Sequence, residues 1–181
     1  MSESTLAALE ARLRELEDVR EINELFQRWH HACTGGFSGK EAGRMEALEC
    51  LTEDATIELK GMHEPGKGPR GREQYTKFWE YFVGDDGPLP YVFQTAIPTT
   101  VVVTGDTARE EHSMLCFAQL RGMKPSIGLS QRINDLVRTP KGWRISKTTI
   151  VGGISFNVDE LKGPLNALKP LTERTPWKYE G

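Results

Sequence analysis

A chain of 181 residues, 38% of them hydrophobic, is long enough for one domain whose core needs no disulfide or metal. Its net charge of -3 and pI near 5.9 leave no electrostatic footprint for nucleic acid or an anionic membrane surface. Cys33, Cys50 and Cys116 are an odd set without a CxxC, each in an apolar pattern. They read as small core residues in a reducing compartment, and the lack of a signal-peptide h-region or a long apolar run predicts a cytoplasmic protein.

Residues 1–5 are expected to fray. From Leu9 to Thr34, the apolar residues Leu9, Leu13, Leu16, Ile22, Leu25, Phe26, Trp29 and Cys33 recur at helical steps, and no Gly or Pro intervenes before Gly35. Glu17, Asp18, Glu21 and Glu24 alternate with Arg12, Arg14 and Arg20 on a face read as solvated. The last turn carries Trp29, His30, His31 and Thr34, and His30 lies four residues after Phe26. An apolar face that turns polar at one end suits a helix whose end lines a pocket.

Gly35 to Gly39 is a loop. A short helix follows, with Ala42, Met45, Leu48 and Leu51 on one side, and then a half-buried strand from Asp54 to Lys60. Met62 to Arg70, which contains His63, Pro65, Gly66, Gly68 and Pro69, reads as loop. Gly71 to Val83 returns to helical spacing, with Tyr75, Phe78, Trp79 and Phe82 as its apolar side. From Tyr91 the period switches to two: Tyr91–Val103, Thr107–Arg121, Ile127–Arg138 and Trp143–Val151 read as strands, with turns at Gly105-Asp106 and Pro140-Lys141. Helices followed by antiparallel strands imply an α+β domain over residues 1–156, its curved sheet wrapped on the helices. Residues 157–181, polar with three Pro, read as an extension that packs on the body or on a neighbouring subunit. The sequence has no P-loop, HExxH or GxSxG pattern, and its four His have no metal-ligand spacing, so no metal or cofactor is expected.

Several phrases in this order, INELFQRW, ALECLTEDATIEL, GREQYTKFW, VVVTGDTA and RINDLVRTPKGWRIS, resemble the SnoaL-like branch of the nuclear-transport-factor-2-like superfamily. The resemblance implies a cone-shaped α+β barrel with a hydrophobic pocket between the concave sheet and the helices. It spans dehydratases such as scytalone dehydratase and bile-acid 7α-dehydratase, lindane dehydrochlorinase, diarylpropane lyases, steroid isomerases and non-catalytic dioxygenase β subunits. Where dehydratase-like relatives carry Tyr or Lys and then Asp on the first helix, this chain has Trp29 and Thr34. Their strand His matches Gln94, and their Arg on the last strand falls near Thr148. The resemblance also implies an assembly of two or three subunits.

Strand alternation supplies other candidates for the chemistry. Ala108, Glu110, His112, Met114 and Cys116 share one face of their strand, and the resemblance turns that face toward the helices. A carboxylate two residues from an imidazole is a plausible base with its orienting partner, and an Arg132 opposite Glu110 would pair with it or bind an oxyanion. The same pattern suits a solvent or subunit face and a structural ion pair. Catalytic roles are thus expected at His30, His112, Glu110 and Arg132, and substrate contacts at Trp29, Thr34, Tyr75, Phe78, Tyr91, Gln94 and Asn134. Trp79 and Phe93 are weaker aromatic markers of the pocket, and His63 is placed in a lid or a solvated loop. Aromatic side chains around a pocket favour a flat, hydrophobic ligand. Two functions are consistent with these residues: a cofactor-independent lyase acting on a hydroxylated aromatic small molecule, or a ligand-binding or subunit-type protein without chemistry. Steroid-type isomerisation is a third option.

Overall fold

The computed structural model describes residues 3–34, 45–60, 64–83, 88 and 91–157 of the chain. A long helix, α1 (Glu3–Thr34), is followed by a short 3-10 turn (Met45–Cys50), strand β1 (Leu51–Leu59), helix α2 (Gly71–Val83), and four long strands. These are β2 (Tyr91–Thr104), β3 (Thr107–Gln119), β4 (Ser126–Thr139) and β5 (Gly142–Asn157). They form one five-stranded sheet in the order β1-β5-β4-β3-β2. All pairings are antiparallel except β1 with β5. The expected α+β architecture is therefore present, with a mostly antiparallel sheet curved around α1.

The tight turns fall where the sequence places them. Gly105 and Gly142 take φ of 60° and 88°, backbone that only Gly adopts without strain, and so reverse the chain between β2 and β3 and at the start of β5. Most strand ends fall within two residues of expectation, and three boundaries differ in kind or by more. The chain is helical from Glu3, where fraying was expected. Leu51 opens β1 instead of closing a helix, and the segment before it is a 3-10 turn. β5 runs six residues past Val151, because its pairing with β4 continues to Asn157 opposite Ser126. The segment 158–181 lies outside the described residues.

The core sits between α1, α2 and the concave face of the sheet. Ile22, Leu25, Phe26, Trp29 and Cys33 of α1 pack with Leu51, Ala55, Ile57, Tyr75, Leu136, Trp143 and Ile145. Burial of each large apolar side chain stabilises by roughly 1.5–3 kcal/mol. Asp18, read from sequence as solvated, is instead buried. Its carboxylate accepts from Trp143 Nε1 at 3.1 Å and from Arg138 Nη2 at 2.7 Å, which fastens α1 to the β4–β5 hairpin.

One apolar assignment fails. Leu6, Leu9, Leu13 and Leu16 are 47–66% exposed, whereas Ile22, Leu25, Phe26 and Trp29 are buried. At about 100° per residue, the Leu6–Leu16 stripe points about 160° away from the Ile22–Cys33 stripe. The two sets occupy nearly opposite faces of α1, and only the second meets the sheet. No helix among the described residues is long and apolar enough to cross a membrane.

Candidate active site

β3 and β4 build the site by register. Pairing sets Glu110 opposite Asn134, and His112 opposite Arg132, all on the concave face. Asn134 in turn lies opposite Thr148 of β5. The alternation of β3 buries Ala108, Glu110, His112 and Met114 and leaves Arg109 and Glu111 outward. α1 presses Phe26 and His30 against the same spot: the His112 ring lies 5.1 Å from each of their rings.

The result is a continuous chain of buried polar groups. Thr148 Oγ1 donates to Asn134 Oδ1 at 2.9 Å, and Asn134 Nδ2 donates to Glu110 Oε2 at 2.6 Å. His112 Nδ1 lies 2.9 and 3.0 Å from the two Glu110 oxygens, and His112 Nε2 lies 3.1 Å from His30 Nε2. Thr148, Asn134, Glu110, His112 and His30 are each no more than 1% exposed. Donor and acceptor roles follow from the network. A carboxylate only accepts, so His112 Nδ1 carries its proton toward Glu110. In the arrangement where His30 Nε2 donates to His112 Nε2, the lone pair of the His30 ring lies on Nδ1.

Burial pushes the His30 pKa well below the usual imidazole value, and the Arg132 charge pushes the same way. A hydrogen bond with Gln94 works in the opposite direction, as expected for a protonated ring donating to the amide oxygen. His30 is therefore a neutral, proton-accepting imidazole at pH 7.

Arg132 is 1% exposed, and its partners are not those expected from sequence. It lies opposite His112, not Glu110, and the strand register moves it one pair away from the carboxylate. Its Nε contacts Met114 Sδ at 3.1 Å, its Nη2 donates to Gln94 Oε1 at 3.3 Å, and its guanidinium carbon stacks 4.7 Å from the Trp29 ring centre. Burial lowers its pKa. Arg132 Nη1 and Trp29 Nε1 are buried N–H donors without a hydrogen-bond partner among the described residues. Such donors strongly favour an oxygen that gains negative charge.

The remaining candidates divide. Trp29 and Tyr75 are fully buried in the core cluster, and Phe78 packs half-buried against it. Tyr75 counters the effect of burial on the Arg132 pKa, which puts its phenol in the neighbourhood of the guanidinium. Gln94 joins the site through Arg132, but Asn134 spends its amide between Glu110, to which its Nδ2 donates, and Thr148, from which its Oδ1 accepts, which makes it a positioning residue. Phe93 is displaced: it stacks 6.1 Å from Phe117 on the convex face, because it alternates with the inward Val92 and Gln94. His63 and the side chains of Thr34, Trp79 and Tyr91 lie outside what is described. His31 is exposed. Among the described residues no three His, Cys, Asp or Glu side chains are grouped to hold a metal ion. Sequence reading had not linked His30 to His112; the link spans 82 positions, and only the fold closes it.

Comparison with known proteins gives one family and many folds of the same kind. The family model described as "SnoaL-like domain" matches residues 14–149. No curated protein matches the sequence significantly. Among solved structures, an NTF2-like protein with a cystatin-like fold from Novosphingobium aromaticivorans is 24% identical, with a TM-score of 0.57 over 83% of this chain and 91% of that one. A candidate scytalone dehydratase from the same organism is 14% identical, with a TM-score of 0.59 over 82% and 91% of the two chains. A type-3 hexachlorocyclohexane dehydrochlorinase from Novosphingobium barchaimii is 13% identical, with a TM-score of 0.63 over 81% and 92%. Identities this low establish the shared fold.

Proposed function

The chain belongs to the SnoaL-like family of the nuclear-transport-factor-2-like superfamily, and on that footing we propose that it is a lyase eliminating water or a small fragment from a hydrophobic, hydroxylated aromatic molecule. The observation that carries this reading is the buried chain Glu110–His112–His30. A lone buried imidazole beside Arg132 resists taking up a proton. The chain removes that obstacle: a proton accepted at His30 Nδ1 releases the one on His30 Nε2 to His112 Nε2. The positive charge then rests on His112, against the Glu110 carboxylate, with Asn134 and Thr148 holding that carboxylate in place.

In this mechanism His30 takes a proton from a substrate carbon next to a carbonyl, or from the hydroxyl of a phenol ring. The electron pair of that bond forms the new double bond, and the negative charge built up on the substrate oxygen is met by Arg132 Nη1 and Trp29 Nε1. The C–O bond breaks, and the hydroxyl leaves as water with a proton from Tyr75. The proton held on the histidines returns to Tyr75 and closes the cycle. The candidate dehydratase and the dehydrochlorinase among the structural relatives are named for eliminations, which supports the reaction class. The unpaired cysteines and the absence of a membrane-crossing helix among the described residues support a cytoplasmic setting.

The test is turnover of a panel of β-hydroxy carbonyl and hydroxybenzyl compounds by the wild type, His112→Ala and Glu110→Gln. General acid–base catalysis is worth about 10²–10⁴-fold. His112→Ala is expected to lose about that factor in kcat, with Glu110→Gln impaired in the same direction. A folded His112→Ala that retains wild-type turnover would refute the mechanism. Tight binding of the panel without turnover by the wild type would favour the ligand-binding reading.

A further inference from the structure

The first two heptads of α1 carry a feature that the active site leaves unexplained. Residues 4–17 are all exposed, although they continue the same unbroken helix as the buried half. Leu6, Leu9, Leu13 and Leu16 follow one another at steps of three, four and three, which is the a/d seam of a two-heptad coiled coil. The four seam leucines are 47–66% exposed, so the core among the described residues does not cover them. A helical segment of this length is marginal in water without a partner for its apolar stripe.

We propose that this stripe pairs with the same stripe of a second copy, in parallel and in register, as a two-stranded coiled coil. The flanking charges select this occupant and this direction. With Leu6 and Leu13 at a, Glu10 and Glu17 fall at e and Arg12 falls at g. In a parallel pair, a g residue faces the e residue five positions on in the partner, so Arg12 of each copy meets Glu17 of the other on both sides of the seam. An antiparallel pair would instead oppose Arg12 with Arg12 and glutamate with glutamate. A basic or acidic foreign helix would be repelled along one flank.

The experiment is sedimentation of the full-length chain at micromolar concentration, with near-UV circular dichroism as a check that the body is folded. The wild type is expected to sediment as a dimer and Leu9→Glu/Leu13→Glu as a monomer. Arg12→Glu should raise the dimer dissociation constant about tenfold, since two attractive pairs become repulsive. Adding Glu17→Arg to Arg12→Glu should restore wild-type affinity. Should the double-Leu variant lose its near-UV signal, the single and double charge variants decide the matter by themselves. A wild-type monomer or trimer overturns the proposal. So does a dimer that survives Leu9→Glu/Leu13→Glu, which would move the interface to the exposed Phe117, Ile154 and Phe156 on the convex sheet face, and so does failure of the charge reversal to restore pairing.

Discussion

The two halves of α1 use the same covalent helix for opposite ends. In the C-terminal half, Ile22, Leu25, Phe26 and Trp29 anchor the helix on the sheet, and the anchoring brings His30 within 3.1 Å of His112. In the N-terminal half the leucines are at least as regular in spacing, yet they lie on the other side of the helix and remain in solvent. Asp18 marks the crossover, tied to Trp143 and Arg138 at the last point where α1 leans on the β4–β5 hairpin. Apolar periodicity alone therefore does not say which surface will cover a stripe; its phase relative to the next stripe does.

Adjacent residues should separate these roles most sharply. His30→Ala is expected to lower turnover by about 10²–10⁴-fold, while His31→Ala, one position on but facing solvent, should leave kcat at the wild-type value. Equal losses in both would erase the distinction between an inward and an outward histidine. Next in size is packing. Leu25→Ala should cost about 2–5 kcal/mol in a denaturant unfolding experiment. Leu9→Ala, measured below the concentration at which copies associate, should stay within about 0.5 kcal/mol of wild type. The crossover should show an intermediate effect. Asp18→Asn is expected to cost about 1–2 kcal/mol, reduced by the partial exposure of Arg138, with turnover unchanged.

The smallest effect expected is a pH dependence with two separable parts. His30 has a depressed pKa in the folded state, so the unfolded chain binds more protons between that value and the ordinary imidazole value. Its contribution to stability is complete above about pH 6.5 and declines as the pH falls below that. The Asp18 carboxyl is also lowered, chiefly by its hydrogen bond from Arg138, so its contribution is present above the ordinary carboxylate pKa and is lost only at more acid pH. A thermal midpoint that falls between pH 7 and 5.5 in wild type, but falls less in His30→Gln, would assign the upper part to His30. Identical profiles would remove it.

Much of the fold was legible because alternation and turn chemistry are local. Counting in twos put Glu110 and His112 of β3 on one face together, and the family resemblance turned that face toward the helices. What remained hidden depended on register between strands. Arg132 was expected beside Glu110; the β3–β4 pairing shifts it to His112 and gives its place to Asn134. Asp18 looked solvated because its neighbours in sequence are charged, and its two partners lie 120 and 125 positions away. The histidine pair was invisible for the same reason. Both members were candidates, but nothing in local spacing says that two rings on different elements will meet.

The central claim is that His30, His112 and Glu110 form one proton-accepting chain. Nitrogen NMR of the imidazoles in the full-length protein at neutral pH tests it most directly. The account predicts that His112 is protonated at Nδ1 and His30 at Nε2, with His30 Nδ1 bare and a scalar coupling between the two Nε2 atoms across their hydrogen bond. A His30 ring protonated on both nitrogens at pH 7, or two rings with no coupling between them, would contradict it.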